Sequence, residues 1–307
     1  MGIVISVLET ALPVFVLLIM GMLCRSKGFI SREGVDTLKK VVVNLTLPFA
    51  LFSAFATAEY NLSAVIIPAV VYVVCGVMLA LGYFAAKLQK SASKLSPFVS
   101  ACFEAGMLGL PLFALLFPDE SVSHFAILML GHDLFVFTLY KTLLVGKTDL
   151  KAIGKDLITS PTLIGVLLGL LVGATGLYGL LHKWGVGGIL DSVTGFVSAP
   201  TAAVILLCMG YDFVPKEIPW KKTLKLIAVR LIIAGALLAL LIFCNRALLG
   251  NMMFEGALII LFILPPPFII PVFSDEPAER TEISATLSAM TLLTMVLFAI
   301  VNILLKV

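Results

Sequence analysis

The feature that most constrains this chain is a succession of apolar stretches, each long enough to cross a bilayer and separated by little else. A helix spanning a hydrocarbon core of ~30 Å needs about 20 largely apolar residues. Ten such stretches are legible, at 3–23, 36–56, 62–86, 95–117, 121–144, 158–180, 188–211, 223–245, 253–273 and 281–304. Apolar residues make up 61% of the chain and charged residues only 13%, against roughly 25% charged in soluble domains. So few charges cannot cover a water-facing surface, whereas lipid tolerates one like this. The reading is an all-α membrane protein whose working parts lie in the membrane or at its rims. The first 23 residues lack a basic n-region and an A-x-A site, and read as a retained span rather than a signal peptide.

Charge distribution tests the span count. Ten spans make the connections alternate in side. One side collects Arg25, Lys27, Arg32, Lys39, Lys40, Lys87, Lys90, Lys94, Lys141, Lys147, Lys151, Lys155, Lys216, Lys221, Lys222, Lys225 and Arg280, 17 in all. The other side, with both termini, holds only Lys183, Arg246 and Lys306. The positive-inside rule puts the first set in the cytoplasm and both termini outside. Arg230 falls inside the eighth span. The basic residues read as loop anchors and lack the interleaved aromatics of a nucleic-acid groove. Cys24, Cys75, Cys102, Cys208 and Cys244 are scattered, form no C-x-x-C, and read as small packing residues rather than disulfides or metal ligands.

The two halves echo each other. Gly109-Leu110-Pro111 leads to Phe117-Pro118-Asp119-Glu120, and Pro265-Pro266-Pro267 leads to Phe273-Ser274-Asp275-Glu276, an offset of 156 that pairs Pro111 with Pro267. Pro48 pairs with Pro200 at an offset of 152, and Pro13 with Pro161 at 148. Because five spans is an odd number, the second copy enters the membrane inverted, an arrangement typical of secondary transporters. The expected organisation is a first five-helix repeat over 1–145, a cytoplasmic connection over 146–157 and a second repeat over 158–307.

Proline removes a backbone donor and clashes with the preceding turn. In lipid, the freed carbonyls survive only where protein or a water-filled cavity receives them. Span four carries Gly106, Gly109 and Pro111, and span nine carries Pro265, Pro266, Pro267 and then Pro271. Both are expected to be broken, with half-helix N-termini near the midplane that favour an anionic substrate. Intramembrane ionisable groups are costly and tend to be functional. Glu104 lies two turns before Pro111, His132 and Asp133 sit mid-way along span five, and Asn44 shares a face of span two with Pro48. The competing reading of each polar residue is a hydrogen bond that locks helices together.

These segments resemble the auxin efflux carrier family of membrane transport proteins. The carrying residues are Val43-Asn44-Leu45-Thr46-Leu47-Pro48, Glu104-Ala105-Gly106-Met107-Leu108-Gly109-Leu110-Pro111, the span-nine proline cluster and Ser284-Ala285-Thr286-Leu287-Ser288. The resemblance implies ten transmembrane helices in two inverted five-helix repeats, with broken helices four and nine crossing. That fold is similar to the one found in sodium/bile-acid symporters. The resemblance also implies carriage of small carboxylates such as malate or malonate, or of an auxin-like acid, with Asn44 beside the substrate. Glu104 departs from the Asn of many members, and the triple proline leaves open which of Pro265, Pro266 and Pro267 makes the crossing.

The expectation is therefore a secondary transporter for a small organic anion, working by elevator-type or rocking alternating access in a bacterial inner membrane. Its substrate-binding candidates are Asn44, Pro48, Gly106, Gly109, Pro111, Pro200, Pro266, Pro267 and Pro271, with Glu104, His132 and Asp133 as candidates for ion or proton coupling. A proton or sodium ion, membrane lipid and a second copy of the chain are the partners considered; no cofactor, metal or nucleic acid is expected. The alternative is a channel or sensor on the same fold that does not cycle. An enzyme is disfavoured: G-x-x-x-x-G-K-[ST], H-E-x-x-H and G-x-S-x-G are missing, and Tyr211-Asp212 lacks the second carboxylate of an aspartyl protease.

Overall fold

A computed structural model describes residues 2–58, 60, 62–91, 93–145, 159–213, 218–273 and 276–306. The connection 146–157, Lys216 and the Ser274-Asp275 pair of the second acidic tail lie outside the described residues. Regular structure among the described residues is helical throughout. The helices are α1 (Gly2–Ser26), α2 (Arg32–Ala56), α3 (Ser63–Leu88), α4 (Ser96–Val99), α5 (Ala105–Leu116), α6 (Ser123–Leu144), α7 (Pro161–Ala174), α8 (Leu177–Lys183), α9 (Gly187–Asp212), α10 (Trp220–Ala247), α11 (Glu255–Ile263) and α12 (Pro277–Lys306).

Helix occupies all ten stretches delimited by hydropathy, but the helices are not all crossings of one kind. Six are long and apolar enough to cross a membrane: α2, α3, α6, α9, α10 and the Glu279–Leu305 part of α12. Only 22–44% of the apolar window of each is buried inside the protein, so most of that surface faces outward, as lipid contact requires. The expected sixth span is a bent pair, α7 and α8, meeting at 69°. Gly176 makes the bend, with φ of +69°, a conformation that L side chains rarely tolerate.

Three helices contain a π turn, at Val42–Thr46 in α2, Ala105–Gly109 in α5 and Val136–Tyr140 in α6. The first two lie immediately ahead of Pro48 and Pro111. A proline would clash with the carbonyl four residues back, here Asn44 or Met107, and a widened turn relieves that contact. Leu47 and Leu110 then donate to the carbonyls of Val42 and Ala105, five residues back.

Glycine sets the closest helix pairs. The Pro200–Asp212 half of α9 packs along α1 so tightly that a Cβ at Gly21 would stand 2.0 Å from the Leu207 carbonyl oxygen, and one at Gly210 2.0 Å from that of Leu18. The α7 helix packs likewise on the Leu47–Ala56 half of α2, with Gly165 against the Pro48 carbonyl. Such small-residue faces let membrane helices approach closely where lipid supplies no hydrophobic drive. The core fills the middle of the bundle, with Phe103, Phe113, Phe125, Phe135 and Phe298 fully buried.

Candidate functional site

Two unwound segments meet at the centre of the molecule. The first begins where α4 ends at Val99 and runs to Glu104, passing Cys102 at φ +59°. The second begins at Leu264, which ends α11 with ψ of 151°, and continues through Pro265, Pro266 and Pro267, all buried. The cause is local: a residue that precedes proline is driven out of the helical region, and here Leu264, Pro265 and Pro266 each precede one. The segments touch through backbone. The Glu104 N–H donates to the Pro265 carbonyl at 2.8 Å, so it is Pro265 whose carbonyl makes the crossing bond. Phe268 is the first residue after the prolines to own an N–H, and it donates to the Glu104 carboxylate at 2.8 Å. Glu104 itself is buried.

Breaking a helix leaves its last carbonyls without intrahelical partners. Arg230 on α10 takes three of them. One guanidinium nitrogen donates to Val99 O at 3.1 Å, and the other donates to Cys102 O and Leu264 O, each at 2.8 Å. Thr294 on α12 donates to Ile263 O at 2.6 Å. The Arg230 side chain also lies over the Phe103 ring, 5.3 Å from its centroid, and is only 4% exposed. Sequence reasoning gave Arg230 no role. The available signal was an arginine inside an apolar span, but its partners are main-chain atoms that no residue pattern reveals.

His132 and Asp133 reach the same place through Phe103. The Phe103 N–H donates to Nε2 of His132 at 3.0 Å. A nitrogen that accepts carries no proton, so the proton of the neutral ring is on Nδ1, which lies 2.9 Å from Asp133 Oδ1 and donates to it. Three successive residues are thus tethered to three elements: Cys102 to α10, Phe103 to α6 and Glu104 to the proline run.

The remaining sequence candidates divide. A Cβ at Gly109 would stand 2.6 Å from both Leu264 and Phe125, so Gly109 lets α5 close on the second broken segment. Gly106 faces Leu47, and Pro48 is buried beneath α7. Asn44 is exposed and spends its amide on Lys40 O at 2.9 Å. Pro200 is exposed, at the break within α9. The structure therefore gathers Glu104, Gly109 and Pro265–Pro267 with His132 and Asp133, and leaves Asn44 and Pro200 outside that bonded cluster.

Two cavities flank the crossing. One, of about 330 Å³, is lined by Met107, Phe268 and Pro271 from the broken elements, by Ser284, Ser288 and Thr291 of α12, and by Arg32, Lys39 and Asp212. Arg32 donates to Asp212 Oδ1 at 2.6 Å, and Lys39 pairs with Oδ2. The other cavity, of about 480 Å³, is lined by Leu110, Pro111 and Leu112, by Ser53 and Thr57, and by Ser198 and Thr201 of α9. Arg32 and Thr57 flank the 25-residue helix α2, so at about 1.5 Å per residue they lie about 37 Å apart along it. The cavities therefore sit toward opposite ends of the molecule. Between them Thr201 donates to Thr46 at 2.8 Å in a buried bond.

Over 210 residues the chain is 25% identical to an uncharacterized transporter of Methanothermobacter thermautotrophicus, an alignment that covers 66% of each protein. A family described as "membrane transport protein" matches residues 6–148, the part that contains α1 to α6 and the first broken segment. Over that first half the chain is similar to the membrane transport proteins of the auxin efflux carrier family.

Proposed function

We propose that this protein is a secondary transporter that carries a small organic anion by alternating access, with protonation of Glu104 or Asp133 coupled to the movement. The observation that carries the reading is the pair of cavities at opposite ends of α2, each walled by one side of the same crossing. A site at the crossing can be reached from one cavity or the other by sliding the broken elements against α2 and α9. The helix pairs support an inverted two-repeat organisation over 1–145 and 158–307, because α1 packs on the second half of α9 as α7 packs on the second half of α2. Arg32 and Lys39, with the hydroxyls of Ser284, Ser288 and Thr291 in the lining of the same cavity, favour a carboxylate of the malate or malonate kind. Under this reading that cavity faces the cytoplasm and both termini lie outside, in an inner membrane.

The test is uptake of labelled malate, malonate and an auxin-like acid into proteoliposomes, with and without an inward pH gradient. Saturable uptake that the gradient stimulates, with the stimulation lost in Glu104→Gln or Asp133→Asn, supports the proposal. Folded protein that takes up no carboxylate under any gradient removes the anion reading. Flux that does not saturate favours a channel.

A further inference from the structure

The C-terminal ends of broken membrane helices carry partial negative charge, and in transporters their free carbonyls coordinate cations. In this protein those carbonyls are already occupied. Val99 O and Cys102 O from the first break and Leu264 O from the second converge, at 2.8–3.1 Å, on one guanidinium. Among the described residues Arg230 has no carboxylate partner, so the three carbonyls and the Phe103 face are what balance its charge. Beside it a cavity of about 20 Å³, lined by Arg230, Leu264, Pro265 and Thr294, has room for about one water.

We infer that Arg230 is the resident cation of the crossing: it fills the seat between the two broken helices at which a dissolved cation would otherwise bind, so the protein assembles its crossing without sodium. A guanidinium stays charged at any physiological pH, and its side chain is fixed to α10. It can neither enter nor leave during a transport cycle, so this seat contributes no coupled ion. Any coupling falls instead on groups that exchange protons. Arg230 acts through the segments it holds, which makes it a positioning residue and not a substrate ligand.

The seat can be tested without knowing the substrate. Purified Arg230→Ala exposes three carbonyls to a small cation. Its thermal unfolding in choline buffer is expected to lie below that of wild type and to rise saturably when sodium or methylguanidinium is added, while wild type does not respond. A folded variant whose melting ignores both cations overturns the inference. Should Arg230→Ala not fold, Arg230→Lys is compared with Arg230→Gln. The lysine variant is expected to retain more stability because it keeps the charge; equal or better stability for glutamine overturns the inference. The uptake arm rests on the carrier reading. Wild-type uptake is expected to be the same in sodium and choline, and Arg230→Ala is expected to lose about tenfold or more, the order of one lost charge-assisted hydrogen bond, with part regained on adding methylguanidinium. Sodium-dependent wild-type uptake overturns the resident-cation assignment. Absence of uptake in every medium counts against the carrier reading alone, because the melting experiments still decide the seat.

Discussion

Glu104 bonds in two directions, through its N–H to Pro265 and through its carboxylate to the Phe268 N–H. A glutamine keeps a carbonyl oxygen able to accept from Phe268, so Glu104→Gln is expected to change stability by no more than about 1 kcal/mol. If its charge has the proposed role, stimulation by the pH gradient disappears in the same variant, and comparing melting with gradient-driven uptake separates the two effects. His132 is held differently. Its Nε2 is the acceptor for the buried Phe103 N–H, and His132→Phe leaves that donor unpaired at a cost of about 1–3 kcal/mol. Thermal unfolding in detergent measures the loss. Asp212 offers a third case. Both its oxygens carry a cation, so Asp212→Asn frees Lys39 and leaves Arg32 with only Asp36, 3.5 Å away. The expected result is a lower half-saturating concentration for a carboxylate presented from the side of the cavity that both cations line; an unchanged value would exclude these cations from substrate binding.

The elements were legible in the sequence to different depths. Residues such as Ile232 and Phe243 of α10, apolar yet exposed, announce a lipid-facing helix through composition alone. The break at Pro265–Pro267 was equally readable, because proline chemistry acts on its own neighbours; the other was misplaced, since Pro111 lies within α5 and the chain unwinds upstream of it, between Val99 and Glu104. The way the breaks are bound together was not. Arg230 binds carbonyls at positions 99, 102 and 264, and a carbonyl has no residue identity to betray it. Asn44 shows the opposite failure. Helical spacing placed it on one face with Pro48, but the π turn at Val42–Thr46 changes the register there, and its amide turns back to Lys40. The glycine contacts give a test at this scale. Gly21→Ala and Gly210→Ala each push a methyl to 2.0 Å from a carbonyl oxygen, and each is expected to destabilise by about 1–3 kcal/mol. Because both alter the single interface between α1 and α9, the double variant is expected to fall short of the sum, as melting temperatures would reveal.

At the scale of the molecule, the two cavities make opposite forecasts for two positions. Thr57 lines the larger cavity and Ser288 the smaller. With cysteine introduced at each in turn in a cysteine-free background, a membrane-impermeant thiol reagent is expected to reach Thr57→Cys from one face and Ser288→Cys from the other. If the crossing alternates, substrate slows labelling at one position and speeds it at the other; parallel changes at both would fit a channel instead. The seat of Arg230 also bears on how such a chain can change over time. Where two side chains bond, loss of one can be answered by substitution of the other. The three acceptors of Arg230 are main-chain atoms, common to every amino acid and incapable of exchange. A substitution at 99, 102 or 264 alters buried packing around the bond but not the acceptor atom itself, and no replacement at any of them can answer a change at 230. In evolutionary terms this position has partners but no possibility of compensation by them, and a lineage that abandoned the arginine would have to rebuild both breaks together.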